Sequence, residues 1–353
     1  MTNKLPNWLN AKGHQNDIVI SSRVRLARNI DDYMFPRNMT RLEKEKLLES
    51  LKDTIETPEF NQELGKMTLI RLEEATPIER QYLLEKHLIS PDMLENYPST
   101  GIVLGLDESI SILVNEEDHL RIQSFFSGLN LEDAYIIADK VDDVLEKFYQ
   151  YSYHEQYGYL TSCPTNVGTG IRFSVMMHLP ALAMNAGLEK ISQGIKKEGF
   201  VIRGFFGEGS KAYGDLYQIS NQFTIGVKET EIMLSLNSKI NDIIELEKES
   251  RSKLFLEQEL HIKDMIYRAY GNLKYALILS AKEGMNDISL LRLGLERGMK
   301  FDQELNYQQL NSLIVLAQPA GLQKYFAKTM EPEERDGKRP QLFQEILKIG
   351  GNK

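Results

Sequence analysis

The chain is poor in cysteine and in long apolar runs, and both shortages narrow what it can be. Of its 353 residues only Cys163 is a cysteine, which excludes an intramolecular disulfide and is typical of a reducing compartment. The N-terminal residues contain no apolar signal-peptide core, and no stretch approaches the roughly 20 apolar residues of a transmembrane helix. We therefore expect a cytoplasmic protein that does not engage a membrane.

Histidine and net positive charge are also scarce. The six histidines show no metal-ligand spacing with one another or with Cys163, so we predict no zinc site and no metal ligand from protein side chains. The formal net charge of -9 disfavours direct binding of nucleic acid and favours basic partners. The hydrophobic share of 42% and the charged share of 26% are those of a soluble globular protein with length for about two domains.

The stretch Tyr159 to Ser174 (YLTSCPTNVGTGIRFS) combines the single thiol with turn-forming residues and an arginine. Its proline and glycines predict a loop rather than a helix or an ordinary strand. Glycines let the backbone approach a ligand, and the Arg172 guanidinium can bind phosphate oxygens with two hydrogen bonds. A buried cysteine beside a simple turn is the alternative for this stretch alone.

Two further stretches place charged groups at the ends of predicted strands. Asp17 to Ser22 (DIVISS) predicts a strand that leads into Arg23 and Arg25, which share one face because strand side chains alternate. A hairpin of Gly101 to Gly105 and Ile110 to Val114 leads into Glu116, Glu117 and Arg121. The alternatives are a solvated basic edge strand for the arginines and the start of a helix for the acids.

The remaining periodicities predict an α+β protein with an all-helical C-terminal domain. We predict a domain boundary near residue 250, between a first domain over residues 1–250 and a helical domain over residues 251–353, which would serve dimerisation, partner binding or regulation. The predicted helices cover about residues 40–55, Ile78 to Leu88, Ser124 to Gln150, Val175 to Leu188, a stretch from Glu229, Leu254 to Ala281, Asp287 to Gly298, Asn306 to Ala317 and Gln341 to Ile349. The predicted strands are Met67 to Leu72, Gly199 to Ile202, and a hairpin of Leu216 to Ser220 with Gln222 to Val227.

The glycine-rich stretch that ends in Ser210-Lys211 is not a Walker A loop. That loop needs the lysine before the serine or threonine, and the order here is reversed.

Arginines and acids together suggest phosphoryl transfer between two substrates of opposite charge. Five arginines beside turns or strand ends suit a triphosphate: Arg23, Arg25, Arg121, Arg172 and Arg203. The carboxylates of Glu116, Glu117 and Glu208 and the Cys163 thiol would repel phosphate, so they should face a cationic substrate. A guanidinium fits, because it pairs with carboxylates and needs a base to remove a proton before its nitrogen attacks phosphorus.

Four motifs in this order, SSRVRLAR, NEEDHLRI, CPTNVGTGIR and RGFFGEG, resemble the catalytic domain of the phosphagen (guanidino) kinases over roughly residues 15–250. The resemblance implies an antiparallel β-sheet flanked by helices and a reaction that uses ATP and Mg²⁺. Within the family the chain resembles the bacterial protein arginine kinases. It starts almost directly at the catalytic domain and carries a helical C-terminal domain, so we expect a site open enough for an arginine on a protein.

The resemblance also assigns roles to individual residues. It implies that Glu117 is the catalytic base and that Cys163 and Glu208 hold the guanidinium. The implied ATP-binding residues are Ser21, Ser22, Arg23, Val24, Arg25, His87, Arg121, Arg172, Phe173, Ser174, Val175, Met176, Arg203, Gly204, Phe205, Phe206, Gly207 and Glu208. Arg335, Asp336 and Arg339 in ERDGKRP match a phosphoarginine-binding RDxxRA motif, with Pro340 in place of its alanine.

Partners are implied by the resemblance alone. They are protein substrates with exposed arginines, a second copy of the chain in a homodimer, a zinc-binding activator protein, a Clp ATPase with its protease, and a stress-gene repressor. Two other functions remain open from the sequence: a kinase of a small guanidino metabolite, and a non-catalytic adaptor that binds phosphoarginine and delivers proteins for degradation.

Overall fold

A single antiparallel sheet organises the part of the chain that the computed structural model describes, residues 5–205 and 213–349. Within these ranges eight strands pair in the order β2-β3-β4-β5-β1-β8-β10-β9, and β6 and β7 form a separate small hairpin. The strands are β1 (Val19–Arg28), β2 (Met67–Arg71), β3 (Gly101–Gly105), β4 (Ile110–Val114), β5 (Leu120–Ser127), β6 (Tyr153–His154), β7 (Gly158–Tyr159), β8 (Ile171–His178), β9 (Phe200–Gly204) and β10 (Leu216–Asn221).

Helices flank the sheet and make up the C-terminal part of the chain, which confirms the predicted α+β class. The helices are α1 (Arg41–Glu56), α2 (Pro58–Leu64), α3 (Pro77–Glu85), α4 (Pro91–Glu95), α5 (Leu131–Glu146), α6 (Pro180–Met184), α7 (Gly187–Lys197), α8 (Glu229–Tyr275), α9 (Ala281–Glu296), α10 (Tyr307–Leu316), α11 (Pro319–Tyr325) and α12 (Pro332–Leu347). Short 3-10 turns lie at Asn7–Leu9 and Pro164–Asn166.

The two faces of the sheet have different roles. Val24, Phe173 and Val175 are fully buried on one face, in a core shared with apolar residues of α1, α5 and the first half of α8. The other face is partly covered by Trp8, by α3 and by the C-terminal helices, in a second core that includes Phe125 and Met176. The uncovered remainder of this second face is available for a site.

Two predicted helices begin too early. Residues 124–127 belong to β5 and residues 175–178 belong to β8, so the predictions for Ser124 to Gln150 and Val175 to Leu188 are wrong at their N-terminal ends. Both strands lie inside the sheet, where each is flanked by two neighbours. A strand buried on both faces loses its polar alternation, and its apolar run then resembles a buried helix.

The predicted hairpin of Leu216 to Ser220 with Gln222 to Val227 is also wrong. Strand β10 pairs with β8 on one side and with β9 on the other, and residues 222–227 form no strand. Arg172 likewise lies on β8 instead of in the predicted loop, which ends at Gly170. Because β10 already has β8 on one edge and β9 on the other, residues 222–227 find no free edge of β10 to pair with.

The C-terminal helices are attached to the sheet through buried polar contacts. The Glu85 carboxylate at the end of α3 accepts hydrogen bonds from the backbone amides of Ala320 (3.0 Å) and Gly321 (2.7 Å) at the start of α11. His178 Nε2 lies 2.8 Å from Ser289 Oγ on α9. Helix α8 runs through residue 250, so the predicted division at this point falls inside a helix, whose geometry breaks only at Gln258.

A buried ion pair fixes β1 against α5. Arg28 donates from Nη2 to Asp142 Oδ2 at 2.6 Å and from Nη1 to the carbonyl of Thr169 at 3.0 Å, and both charged side chains are less than a tenth exposed. Its guanidinium therefore ties the strand both to the helix and to the glycine turn before β8.

Replacing Asp142 with Ala should lower the free energy of unfolding by about 3–5 kcal/mol, because it leaves the Arg28 charge buried and unpaired. Urea denaturation measures the change. Asp143→Ala is the matched control, since Asp143 is exposed on the same helix. Equal effects of the two substitutions would show that the Arg28 pair does not stabilise the fold.

Candidate active site

A cleft of about 600 Å³ lies on the partly uncovered face of the sheet. Its lining includes residues of all four sequence motifs: Arg23, Arg25, Glu117, Arg121, Cys163, Arg172 and Arg203. His87, another residue singled out by the sequence, lines the same cleft. The structure therefore brings the five predicted nucleotide-side arginines together with Glu117 and Cys163 in one cavity.

Strand register explains why the arginines converge. Directly opposite residues of antiparallel strands place their side chains on the same face. Arg25 on β1 pairs with Arg172 on β8 and with Gln123 on β5, and Arg203 on β9 pairs with Gln218 on β10. One face of five adjacent strands thus carries the whole arginine cluster.

The same register limits which predicted nucleotide contacts are compatible with the structure. Ser21, Arg23 and Arg25 alternate onto the cleft side with Ser174 and Met176. The side chains of four other assigned residues, Ser22, Val24, Phe173 and Val175, lie on the opposite face and are buried. A side-chain contact between these four residues and a ligand in the cleft is incompatible with the strand geometry.

Five arginines make the cleft electropositive, and burial and mutual repulsion lower the pKa of several of them. Burial, reinforced by Arg121 and Arg172, lowers the pKa of Arg23 to about 9. Burial and the same neighbours, together with Arg23, depress the pKa of Arg25 well below its usual value. Among the described residues, the buried Nε atoms of Arg25 and Arg172 find no hydrogen-bond acceptor. Unpaired donors and crowded positive charge together suit a polyanion such as a polyphosphate.

Arg121 is the best-compensated member of the cluster. Its Nη1 donates to Glu116 Oε2 at 2.5 Å, and its Nη2 lies 3.9 Å from Glu117 Oε2. Although burial alone would lower it, these carboxylates raise the pKa of Arg121. Glu116 therefore serves to hold Arg121 in place, whereas the Glu117 side chain is 43% exposed and remains turned toward the cavity.

His87 forms part of an aromatic end of the cleft. It follows α3 with a left-handed backbone (φ 60°), and its ring makes an edge-on contact with Phe205 at 4.7 Å and a tilted contact with Trp8 at 5.9 Å. Burial and the nearby arginines Arg23 and Arg25 lower the pKa of His87 to about 3. A neutral imidazole among aromatic rings suits a planar uncharged group such as a base.

Glu117 and Cys163, which the sequence analysis assigns to the acceptor, line the same cleft. Burial, with Asp118 and Glu116 nearby, raises the pKa of Glu117 even though Arg121 and Arg172 oppose the shift. Cys163 is half-buried at the start of the short turn Pro164–Asn166, and its Sγ lies 3.1 Å from Thr165 Oγ1. A carboxylate with a raised pKa is a better proton acceptor than an ordinary one.

Some predicted residues lie outside the cleft or outside the described residues. Phe206, Gly207 and Glu208 fall in the range 206–212, which lies outside the described residues. Their predicted roles therefore stay predictions. Arg335, Asp336 and Arg339 lie on α12, where Arg339 is 1% exposed and donates to the carbonyl oxygens of Ala317 (2.8 Å) and Leu279 (2.5 Å). The fold itself therefore uses Arg339, and phosphoarginine binding there stays a prediction.

The sequence left several lining residues of the cleft without an assigned role: Gln123, Gln218, Gln222, Thr165 and Asn166. Trp8, which was missed as well, lines a small cavity that shares Arg23, His87 and Gln218 with the cleft. Gln123 could have been found, because it stands two positions from Arg121 on what proves to be a strand. Gln218 and Trp8 are brought to the site only by tertiary structure, which leaves no local signal.

Within the described ranges the protein shows no cluster of metal ligands. No group of three or more histidine, cysteine, aspartate or glutamate side chains lies close enough together there to hold a metal ion. Over the same ranges, no helix combines the length and apolarity needed to cross a bilayer.

Comparison with known proteins decides the family. The model of the ATP:guanido phosphotransferase C-terminal catalytic domain matches residues 46–250, and that of the protein-arginine kinase McsB C-terminal domain matches residues 259–353. A protein-arginine kinase of Bacillus subtilis is 42% identical over 99% of this chain and 95% of its own. One from Pelotomaculum thermopropionicum is 44% identical over 95% and 94%.

The chain belongs to the protein-arginine kinase family of ATP:guanido phosphotransferases.

Solved structures agree with the assignment of this kinase to its family. The duplicated taurocyamine kinase from Schistosoma mansoni, solved with bound transition state analogue components, matches with a TM-score of 0.60 and 27% identity. The match covers 69% of this chain and 35% of that one, about a third of its length. A lombricine kinase structure (TM-score 0.55, 24% identity, 69% and 71% coverage) shows the same fold.

Replacing Arg25 with Met should stabilise this kinase while weakening its binding of polyphosphate. The substitution removes a buried charge that three other arginines repel, so we expect the free energy of unfolding to rise by about 1 kcal/mol. Thermal unfolding with and without inorganic tripolyphosphate measures both effects.

Arg28→Met is the control for this substitution, because Arg28 is paired with Asp142 and its loss should destabilise the protein. An Arg25→Met protein that is less stable than the wild type, or equally stabilised by tripolyphosphate, would contradict the account of the cluster.

Proposed function

We propose that this kinase transfers the γ-phosphate of ATP to a guanidino nitrogen of arginine side chains in proteins. The single observation that carries the proposal is the meeting of both kinds of group in one cleft, which is lined by five guanidiniums together with Glu117 and Cys163. The names of the relatives support the choice of acceptor, because they are protein-arginine kinases over nearly the full chain.

On the nucleotide side, the arginine cluster binds the phosphates and the aromatic end receives the adenine. The guanidiniums of Arg25 and Arg172 have buried Nε donors that a phosphate oxygen would satisfy. Rigid strands hold these donors, so they need little rearrangement as charge develops on the transferred group. Arg203 on β9 is separated from Arg25 on β1 by two strands, β8 and β10, and extends the cluster along the cleft.

Mg²⁺ fits this site as a partner of the nucleotide phosphates. Glu116 is engaged with Arg121, and Asp118 with Asn29 and the amide of Ser162, so the nearby acids are largely committed to the protein. The ion, bound with ATP, would offset phosphate charge.

On the acceptor side, Glu117 orients the guanidinium and accepts its proton. The acceptor nitrogen must lose a proton as it bonds to phosphorus, and the raised pKa of Glu117 favours that transfer. Cys163, which lines the same cleft, would hold the guanidinium through its sulfur, and we assign Glu208 the same role from the family resemblance. The rate should fall as the pH is lowered through the raised Glu117 pKa, because the protonated acid is no longer a base.

Glu117→Gln and Cys163→Ala should each lower kcat by at least about 10²-fold, since each removes a group that contacts the reacting guanidinium. ATP should still bind, because neither side chain belongs to the arginine cluster. Calorimetric titration with ATP and a phosphoarginine assay measure the two quantities. A variant that transfers phosphate at the wild-type rate would remove that residue from the mechanism.

The product distinguishes this proposal from its alternatives. The protein is incubated with ATP, Mg²⁺ and an arginine-rich protein, and phosphosites are mapped under non-acidic conditions, since the phosphorus–nitrogen bond is acid-labile. Phosphoarginine in the protein is the expected result. Phosphate on serine or tyrosine would end the guanidino proposal, and faster phosphorylation of free arginine would favour a small-metabolite kinase.

We also propose, on the family resemblance alone, a fate for the product. Phosphorylated proteins would be marked for a Clp ATPase and its protease, and a stress-gene repressor would be among the substrates. A homodimer and a zinc-binding activator belong to the same proposal. An adaptor without essential catalysis is the alternative, and a Glu117→Gln variant that kept full delivery of proteins for degradation would support it.

A further inference from the structure

Two loops supply the acceptor side of the cleft, and one buried carboxylate joins them. Asp118 is 1% exposed and follows Glu117 in the turn between β4 and β5. Its Oδ1 accepts a hydrogen bond from the backbone amide of Ser162 at 2.7 Å. Because Ser162 immediately precedes Cys163, this bond connects the neighbours of the two acceptor-side groups.

Asn29 completes the connection from the end of β1. Its Nδ2 donates to the same Asp118 oxygen at 2.7 Å and to the carbonyl of Leu160 at 3.0 Å, and its Oδ1 accepts from the amide of His119 at 3.0 Å. The Asn29 side chain, also 1% exposed, thus binds Asp118 and His119 on one loop and Leu160 on the other. We name the Asp118–Asn29 pair with its bonds to Ser162, Leu160 and His119 the loop clasp.

The loop clasp lies behind the cleft. Neither Asp118 nor Asn29 is among the residues that line the cavity, whereas the adjacent Glu117 and Cys163 both are. The two lining groups come from loops 44 residues apart, as the bond from Ser162 to Asp118 shows. A guanidinium held between a carboxylate and a sulfur requires both at defined positions, and an error of about 1 Å can cost roughly 10²-fold in rate.

We propose that Asp118 and Asn29 are positioning residues that set Glu117 and Cys163 at the spacing the acceptor guanidinium requires. The inference rests on the proposed function for the identity of the acceptor. The clasp acts only on the acceptor side, because the arginines that face the nucleotide are held by the sheet.

The test uses the full chain with Asp118→Ala, Asn29→Ala and the conservative Asp118→Asn. Asp287→Ala is the matched control, since Asp287 is also a buried aspartate that accepts from an asparagine, Asn272 Nδ2, at 2.6 Å, but lies on α9 outside the cleft. The measurements are kcat, the affinity for ATP, and the rate at which iodoacetamide alkylates the thiol. Alkylation reports Cys163 alone, because the chain has no other cysteine.

Asp118→Ala and Asn29→Ala should lower kcat by roughly 10²-fold, leave the ATP affinity unchanged and speed alkylation of Cys163. Asp118→Asn keeps an oxygen acceptor for both donors, so it should restore much of kcat and the slower alkylation. The Asp287→Ala control should leave all three quantities unchanged even where it lowers the melting temperature.

Unchanged kcat and alkylation in the alanine variants would overturn the proposal, and so would an equal loss of ATP affinity and kcat. If Asp118→Ala does not fold, Asn29→Ala gives the same readouts, because it removes three of the clasp's bonds. The alkylation comparison needs no turnover, so it stands even if the wild-type protein forms no phosphoarginine. That result would refute the proposed acceptor and leave the mechanical link between the loops intact.

Discussion

The antiparallel pairing of β5, β1, β8, β10 and β9 is the constraint on which the site depends. It places arginines from separate parts of the chain on one face and gives them no freedom to separate. Burial there, reinforced by mutual repulsion, depresses the pKa values of Arg23, Arg25 and Arg172, which means that the cluster is electrostatically unfavourable by itself. The core on the opposite face offsets this strain through buried residues such as Phe173 and Val175.

The acceptor side is built on a different principle. Glu117 and Cys163 stand on turns between strands, so the sheet does not determine their separation directly. In our proposal that task falls to the buried hydrogen bonds that the Asp118 carboxylate accepts from Asn29 and from the amide of Ser162. A rigid sheet for the polyphosphate and tied loops for the guanidinium would let one site hold two substrates of opposite charge.

The sequence predicted best those features that depend on residues close together in the chain. Alternation alone placed Arg23 and Arg25 on one face, and helical spacing of apolar residues predicted a helix at about residues 40–55, close to α1 (Arg41–Glu56). The prediction failed in the second half of β8, where Val175, Met176 and Met177 face two cores and no polar alternation marks the strand. The sequence also assigned the whole run Ser21–Arg25 to the nucleotide. Only the strand register shows that alternate residues of this run face the cleft. The loop clasp was invisible, because Asn29 and Asp118 meet through tertiary structure.

The most direct test is a crystal structure of the protein with a non-hydrolysable ATP analogue, Mg²⁺ and an arginine-containing peptide. The account predicts phosphate oxygens within hydrogen-bond distance of Arg25 and Arg172, and the peptide guanidinium between Glu117 and Cys163. A nucleotide bound away from the arginine face, or a peptide arginine that touches neither Glu117 nor Cys163, would contradict it.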